Sequence, residues 1–199
     1  MKMDWAAAEA SLCAALQSNP GAWGDHSRYV AQACERIASH CDGLNANDAY
    51  CYGLLHDIGR YAGVSSEKHL IDGYTYCMAR GWEKAAQICI SHAFMIQDIS
   101  TSIGVFDVTE EEYAFMERFI KEAVYDDYDL LVQLCDGLAM STGFCLLEKR
   151  FVDVALRYGT HPGTVPRWKR TLEIKSFFEK KIGGSIYELL PGVIENTFQ

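Results

Sequence analysis

The stretch best suited to chemistry is Cys51-Tyr52-Gly53-Leu54-Leu55-His56-Asp57-Ile58-Gly59-Arg60, where an apolar helical run ends in a histidine-aspartate pair. A glycine and a cation follow. An imidazole beside a carboxylate is costly to hold against a core unless something pairs with both. A metal ion is one such partner, since it takes neutral imidazole nitrogen and carboxylate oxygen together. A solvated helix end is the other reading. Further donors recur along the chain: His26, His69 and His92 each fall at a helix start or end beside an apolar face, and Asp136 shares a helix line with Val132 and Ala139. Taken singly, each reads as an ordinary interior, surface or capping residue. Their joint arrangement around His56-Asp57 favours a divalent metal held by nitrogen and oxygen, such as iron, manganese, nickel, cobalt or zinc.

The elements that must position these donors are helices. Apolar residues recur at spacings of three and four, and no period-two strand stands out. Residues 4–17 form a first helix. The second begins near Asp25 with the inner stripe His26, Val30, Ala33, Cys34, Ile37. Asn47 is the expected N-cap of the third, which delivers His56 at its end. A fourth runs from Ser65 or Ser66 to Gly81, with Lys68 and His69 in its first turn and Gly73 one turn later, where a missing side chain lets a neighbour approach. The fifth, from about Glu83, closes the stripe Ala85, Ile88, Cys89 with His92.

Residues 94–108 read as a loop. Thr109 with Glu112 is a capping box opening a helix to Val124. Helices over 126–140, 144–158 and from Thr164 to Gly183-Gly184 complete the chain, followed by a short segment over 185–190. The expectation is an all-α, single-domain helical bundle over 1–199, with a metal-binding core at about 22–140 and a helical extension at 144–199.

Composition narrows the partners. With 199 residues, 49% of them hydrophobic, the chain can bury a full core. A net charge of −9 weighs against polymeric nucleic acid or anionic membrane as the main partner. A small phosphorylated ligand stays open, because a bound cation inverts the local field. The eight cysteines form no C-x-x-C pair, which disfavours a structural thiolate zinc site. Met1-Lys2-Met3-Asp4-Trp5 lacks the regions of a signal peptide, and no apolar run nears the roughly 18 residues of a membrane span. A soluble, reduced, cytoplasmic protein is expected.

The order His26, then His56-Asp57, then Asp136, set in Leu54-Leu55-His56-Asp57-Ile58-Gly59-Arg60, resembles the HD-domain superfamily of metal-dependent phosphohydrolases. Lys68-His69-x-x-x-Gly73, followed by Gly81 and Ile88-x-x-x-His92, resembles its binuclear branch. That branch includes HD-type symmetrical dinucleoside-tetraphosphate hydrolases and, more distantly, the HD-GYP cyclic-dinucleotide phosphodiesterases. The resemblance implies that His26, His56, Asp57, His69, His92 and Asp136 are metal ligands, with Asp57 bridging, and that the substrate is a small phosphorylated molecule of the nucleotide class. The GYP signature is absent, His69 follows Asp57 more closely than in that pattern, and Asp136 lies farther beyond His92.

Asp57, Arg60 and Lys68 are the catalytic candidates, the two cations as phosphate contacts weighed against solvated surface charges. Arg150 and Arg157, seven apart, read as a solvated face rather than a pocket wall. His40 and His161 receive no role. Two alternatives stand beside the binuclear hydrolase. One is a mononuclear 5'-nucleotidase using His26, His56, Asp57 and Asp136, with His69 and His92 as substrate or acid/base groups. The other is a non-catalytic ligand-binding module. The apolar segment Ile186–Phe198 packs internally or on a partner, which leaves a homo-oligomer open.

Overall fold

Side-chain caps set the starts of the helices that begin at Trp5, Ala46, Glu110 and Asp127 in the computed structural model, which describes residues 3–198. Met1 and Lys2, which open the stretch read above for signal-peptide character, and Gln199 lie outside the described residues. Asp4 accepts the Ala7 N–H and opens α1 (Trp5–Ser18). α2 (Trp23–Ala38) and α3 (Ala46–Leu55) lie along each other. The cap of α3 is Asn45 rather than Asn47: its side chain takes the Asp48 N–H at 3.0 Å. A 3-10 turn (Ile58–Ala62) follows and packs on α4 (Lys68–Met78), which pairs with α5 (Glu83–Ser91). α4 starts later than expected because Asp107 and Val105 hold the preceding backbone, Asp107 accepting from the Ser66 and Lys68 amides and the Val105 carbonyl from the Glu67 amide.

After the loop, which contains one short 3-10 turn (Ile99–Thr101), the Thr109–Glu112 capping box forms and opens α6 (Glu110–Glu122). α7 (Asp127–Gly137) lies over α2 and α3. It stops short of Met140, where a two-residue antiparallel pair begins, β1 (Ala139–Met140) with β2 (Gly143–Phe144). Strands of two residues are too short to leave an alternating pattern in the sequence. α8 (Leu147–Tyr158) and α9 (Thr164–Ile182) follow. The tail forms a 3-10 turn (Ile186–Leu189) and α10 (Val193–Thr197), a helix the periodicity did not reveal.

The fold is all-α apart from this hairpin. One apolar cluster joins Val30 and Ile37 of α2, Leu131 and Cys135 of α7, and Ile174 and Phe178 of α9. Ile186, Leu190 and Val193 belong to it, so most of the C-terminal segment packs internally. Asn196 clamps the hairpin by donating to the Phe144 carbonyl and accepting from Thr142. A second cluster packs α1 on Leu54, Leu55 and Ile58, and a third fills the space between α4, α5 and α6. No helix among the described residues is long and apolar enough to cross a membrane.

Candidate metal centre

His56 and Asp57 follow directly on the buried pair Leu54 and Leu55, so the end of α3 carries them into the interior. Helical phase turns His26 of α2 inward beside Val30. His69, in the first turn of α4, and His92, at the C-cap of α5, come in from the opposite side. The imidazoles form a chain: ring centroids lie 5.3 Å apart for His26 and His56, 4.8 Å for His56 and His92, and 6.0 Å for His69 and His92.

Asp57 stands in the middle with its two oxygens facing different ways. Oδ2 is 3.9 Å from His56 Nε2, while Oδ1 is 3.0 Å from His69 Nε2 and 3.7 Å from His92 Nε2. Two donor sets result, His26–His56–Asp57 and Asp57–His69–His92, each with its ligand atoms within 4.8 Å of one another. Asp136 joins the first side, its Oδ1 lying 2.9 Å from His26 Nε2 and 3.9 Å from His56 Nε2. The structure thus brings together all six residues expected as ligands.

These groups fit divalent metal on their own chemistry. His56 Nδ1 donates to the Gly53 carbonyl at 2.7 Å, His92 Nδ1 to Ile88 at 3.0 Å, and His69 Nδ1 to Ser66. Backbone carbonyls on Nδ1 fix the tautomer and leave each Nε2 lone pair facing the site. His56 Nε2 is buried with no hydrogen-bond partner, a costly state unless something takes that lone pair.

Protonation agrees. Burial lowers the pKa of His56, and burial together with neighbouring His56 lowers that of His92 to about 4. Burial opposes charge on Asp57, but Arg60, His69 and His56 outweigh it and hold the carboxyl well below its usual range. On Asp136 burial is likewise overcome, by His26 and Arg150. Neutral imidazoles and ionised carboxylates are the forms that bind metal.

The cluster floors a cavity of about 550 Å³, a size suited to a small ligand. Arg60 lines it, its Nε 2.6 Å from Asp57 Oδ2 and its Nη2 3.4 Å from His69 Nε2. Lys68 does not line it. One residue away from His69, it points around the helix to Glu112 at 2.9 Å and Asp72 at 3.6 Å, so the structure gives it no contact with the site. Gly73 faces the backbone of Gly59 and the Cys89 side chain, which lets the Ile58–Ala62 turn press directly on α4.

Arg150 and Arg157 line the cavity, where a solvated face was expected. α8, along most of its length, and the first two turns of α9 fold back over the site, a crossing that spacing within one helix cannot reveal. Two further lining residues went unnoticed in the sequence. Glu67 is a buried carboxylate whose Oε1 accepts from Ser102 and Gly104 and whose Oε2 has no partner. Arg167 sits in the polar run Arg167-Trp168-Lys169-Arg170, and nothing in that run marks it apart from its neighbours.

Comparison with protein-family models matches the HD domain over residues 23–141, more than half the chain, and the chain belongs to that family. The family consists generally of metal-dependent hydrolases whose domains bind divalent metals. The matched segment encloses all six donors, and α8 and α9 fall outside it. No solved structure matches the chain.

Proposed function

We propose that the chain hydrolyses a small phosphate ester or anhydride of the nucleotide class, using two divalent ions held by His26, His56, Asp57, His69, His92 and Asp136. The observation that carries this reading is the division of Asp57, with one oxygen toward His56 and the other toward His69 and His92. That is the geometry of a carboxylate shared between two sites. When bound, a pair of divalent ions supplies an acidified water at neutral pH and a clamp for charge on the phosphoryl oxygens.

The chain's own residues supply the rest. Their Nδ1 hydrogen bonds hold His56, His69 and His92 in one tautomer, with Nε2 turned to the site. Arg60 steadies Asp57 and offers a guanidinium at the cavity floor to a phosphoryl oxygen.

Phosphate release from a nucleotide panel with added iron, manganese, cobalt, nickel or zinc tests the reading. Wild type should turn over, with near two equivalents of metal per chain. A His56→Ala/Asp57→Ala double variant should fall to background. If the two proteins behave alike across the panel, the hydrolase reading is lost. A mononuclear form has one observation in its favour: Arg60 Nη2 lies 3.4 Å from His69 Nε2, an atom that an ion on the Asp57–His69–His92 side would need. Full turnover with one equivalent of metal would select it.

A further inference from the structure

α8 and α9 lie outside the HD match, yet they build one wall of the cavity above the histidine cluster. Phe151 stacks on Trp168 with centroids 5.3 Å apart and planes at 10°, which locks the two helices together and fixes the cations they carry. Those cations differ in how far they are neutralised. Arg157 meets Asp153 at 2.7 Å and stands largely in solvent. Arg150 is shared between Asp153 at 3.3 Å and Asp136 at 3.9 Å.

Arg167 has no carboxylate within 4 Å among the described residues. Its Nη1 donates to the carbonyls of Ala93 at 2.7 Å and Thr101 at 3.1 Å. Burial lowers its pKa, and Glu67 and Asp136 oppose that only from longer range. A guanidinium withdrawn from water without an anion has lost hydration and gained no compensating charge. It is nevertheless held in place, bonded to the residue next to His92, on the cavity that Asp57 and His69 also line.

The cavity's charge balance points the same way. Its lining carboxylates are Asp57, Glu67, Asp136 and Asp153, and its lining cations are Arg60, Arg150, Arg157 and Arg167. These cancel formally, four against four. Arg60, Arg150 and Arg157 have carboxylate partners, which leaves Arg167 as the member without a direct one.

We propose that Arg167 is an anion anchor of this cavity, binding a second anionic group of the substrate beyond the phosphoryl group undergoing hydrolysis. Building on the hydrolase reading above, it makes the chain selective for molecules with a chain of phosphates over simple monoesters. A bidentate guanidinium contact suits a non-bridging pair of phosphate oxygens.

Calorimetric titration of the metal-stripped protein with inorganic triphosphate and with orthophosphate tests the anchor without requiring turnover. Arg167→Gln keeps an amide for the Ala93 and Thr101 carbonyls and removes the charge; Arg167→Lys keeps the charge and loses the fork. Wild type should bind triphosphate more tightly than orthophosphate. Arg167→Gln should weaken triphosphate binding by about ten-fold or more, and Arg167→Lys by less, as expected for loss of a charge-assisted contact.

With metal added, the ratio of kcat/KM for adenosine triphosphate to that for p-nitrophenyl phosphate should fall by a similar factor in Arg167→Gln. A purely structural role would instead lower both substrates together and leave the ratio unchanged. Equal triphosphate binding in wild type and both variants, or no triphosphate binding by wild type, overturns the anchor. If Arg167→Gln does not fold, unchanged binding in Arg167→Lys overturns it. Turnover with an unchanged ratio removes the anchor and leaves the hydrolase; loss of triphosphate binding in Arg167→Gln, with no turnover of any substrate, does the reverse.

Discussion

His92 is kept neutral by its surroundings: burial, with His56 beside it, brings its pKa down to about 4, against about 6.5 for a free imidazole. Between those values the unfolded chain binds the proton and the folded chain does not, so stability falls as pH drops through that window and this contribution levels off below it. Denaturant titrations of metal-stripped protein from pH 7 to pH 4 should therefore show falling stability, with a shallower slope in His92→Gln. Identical slopes would remove His92 as a source of the effect. At this scale the sequence was informative about metal donors, because histidine and aspartate at the ends of apolar stripes are chemically conspicuous. It was poor on cations. Lys68, beside His69, stood out as a phosphate contact and Arg167 did not; the first pairs with Glu112 and the second lines the cavity.

The contact between the Ile58–Ala62 turn and α4 fixes the distance between Asp57 and His69. A Cβ on Gly59 would lie 1.9 Å from the His69 carbonyl oxygen and 2.4 Å from the Gly73 nitrogen. Both are backbone atoms of a helix and cannot swing aside. Gly59→Ala should therefore cost about 1–3 kcal/mol, the usual range for overpacking, and should weaken metal binding by spreading the Asp57–His69–His92 set. Thermal unfolding and metal titration would check this; a variant with wild-type stability and stoichiometry would show that the turn tolerates displacement. Helix identities were legible here from period and caps, as with the Thr109–Glu112 box. Boundaries were less so, since the start of α4 is set by Asp107, thirty-nine residues beyond Lys68.

Across the whole molecule, four helical segments distant in sequence converge on one carboxylate, so metal binding should act on global stability. Metal at about 100 times its Kd adds about 2.7 kcal/mol per site, and each kcal/mol moves Tm by about 2–4 °C in a chain of this size. Chelation should lower Tm by several degrees, and added metal should restore it. A Tm indifferent to both treatments would remove the metal centre. The sequence by itself determined the helical class, the family-defining order of histidines and aspartates, and the inward face of His26, His56, His92 and Asp136, because helical periodicity is a local property. Only the tertiary structure decided that Asp57 divides its oxygens between two histidine sets, that Lys68 stands apart, and that the helices beyond residue 141 roof the cavity with arginines. Those outcomes depend on how helices cross, and crossing is set by packing between residues that no spacing along the chain relates.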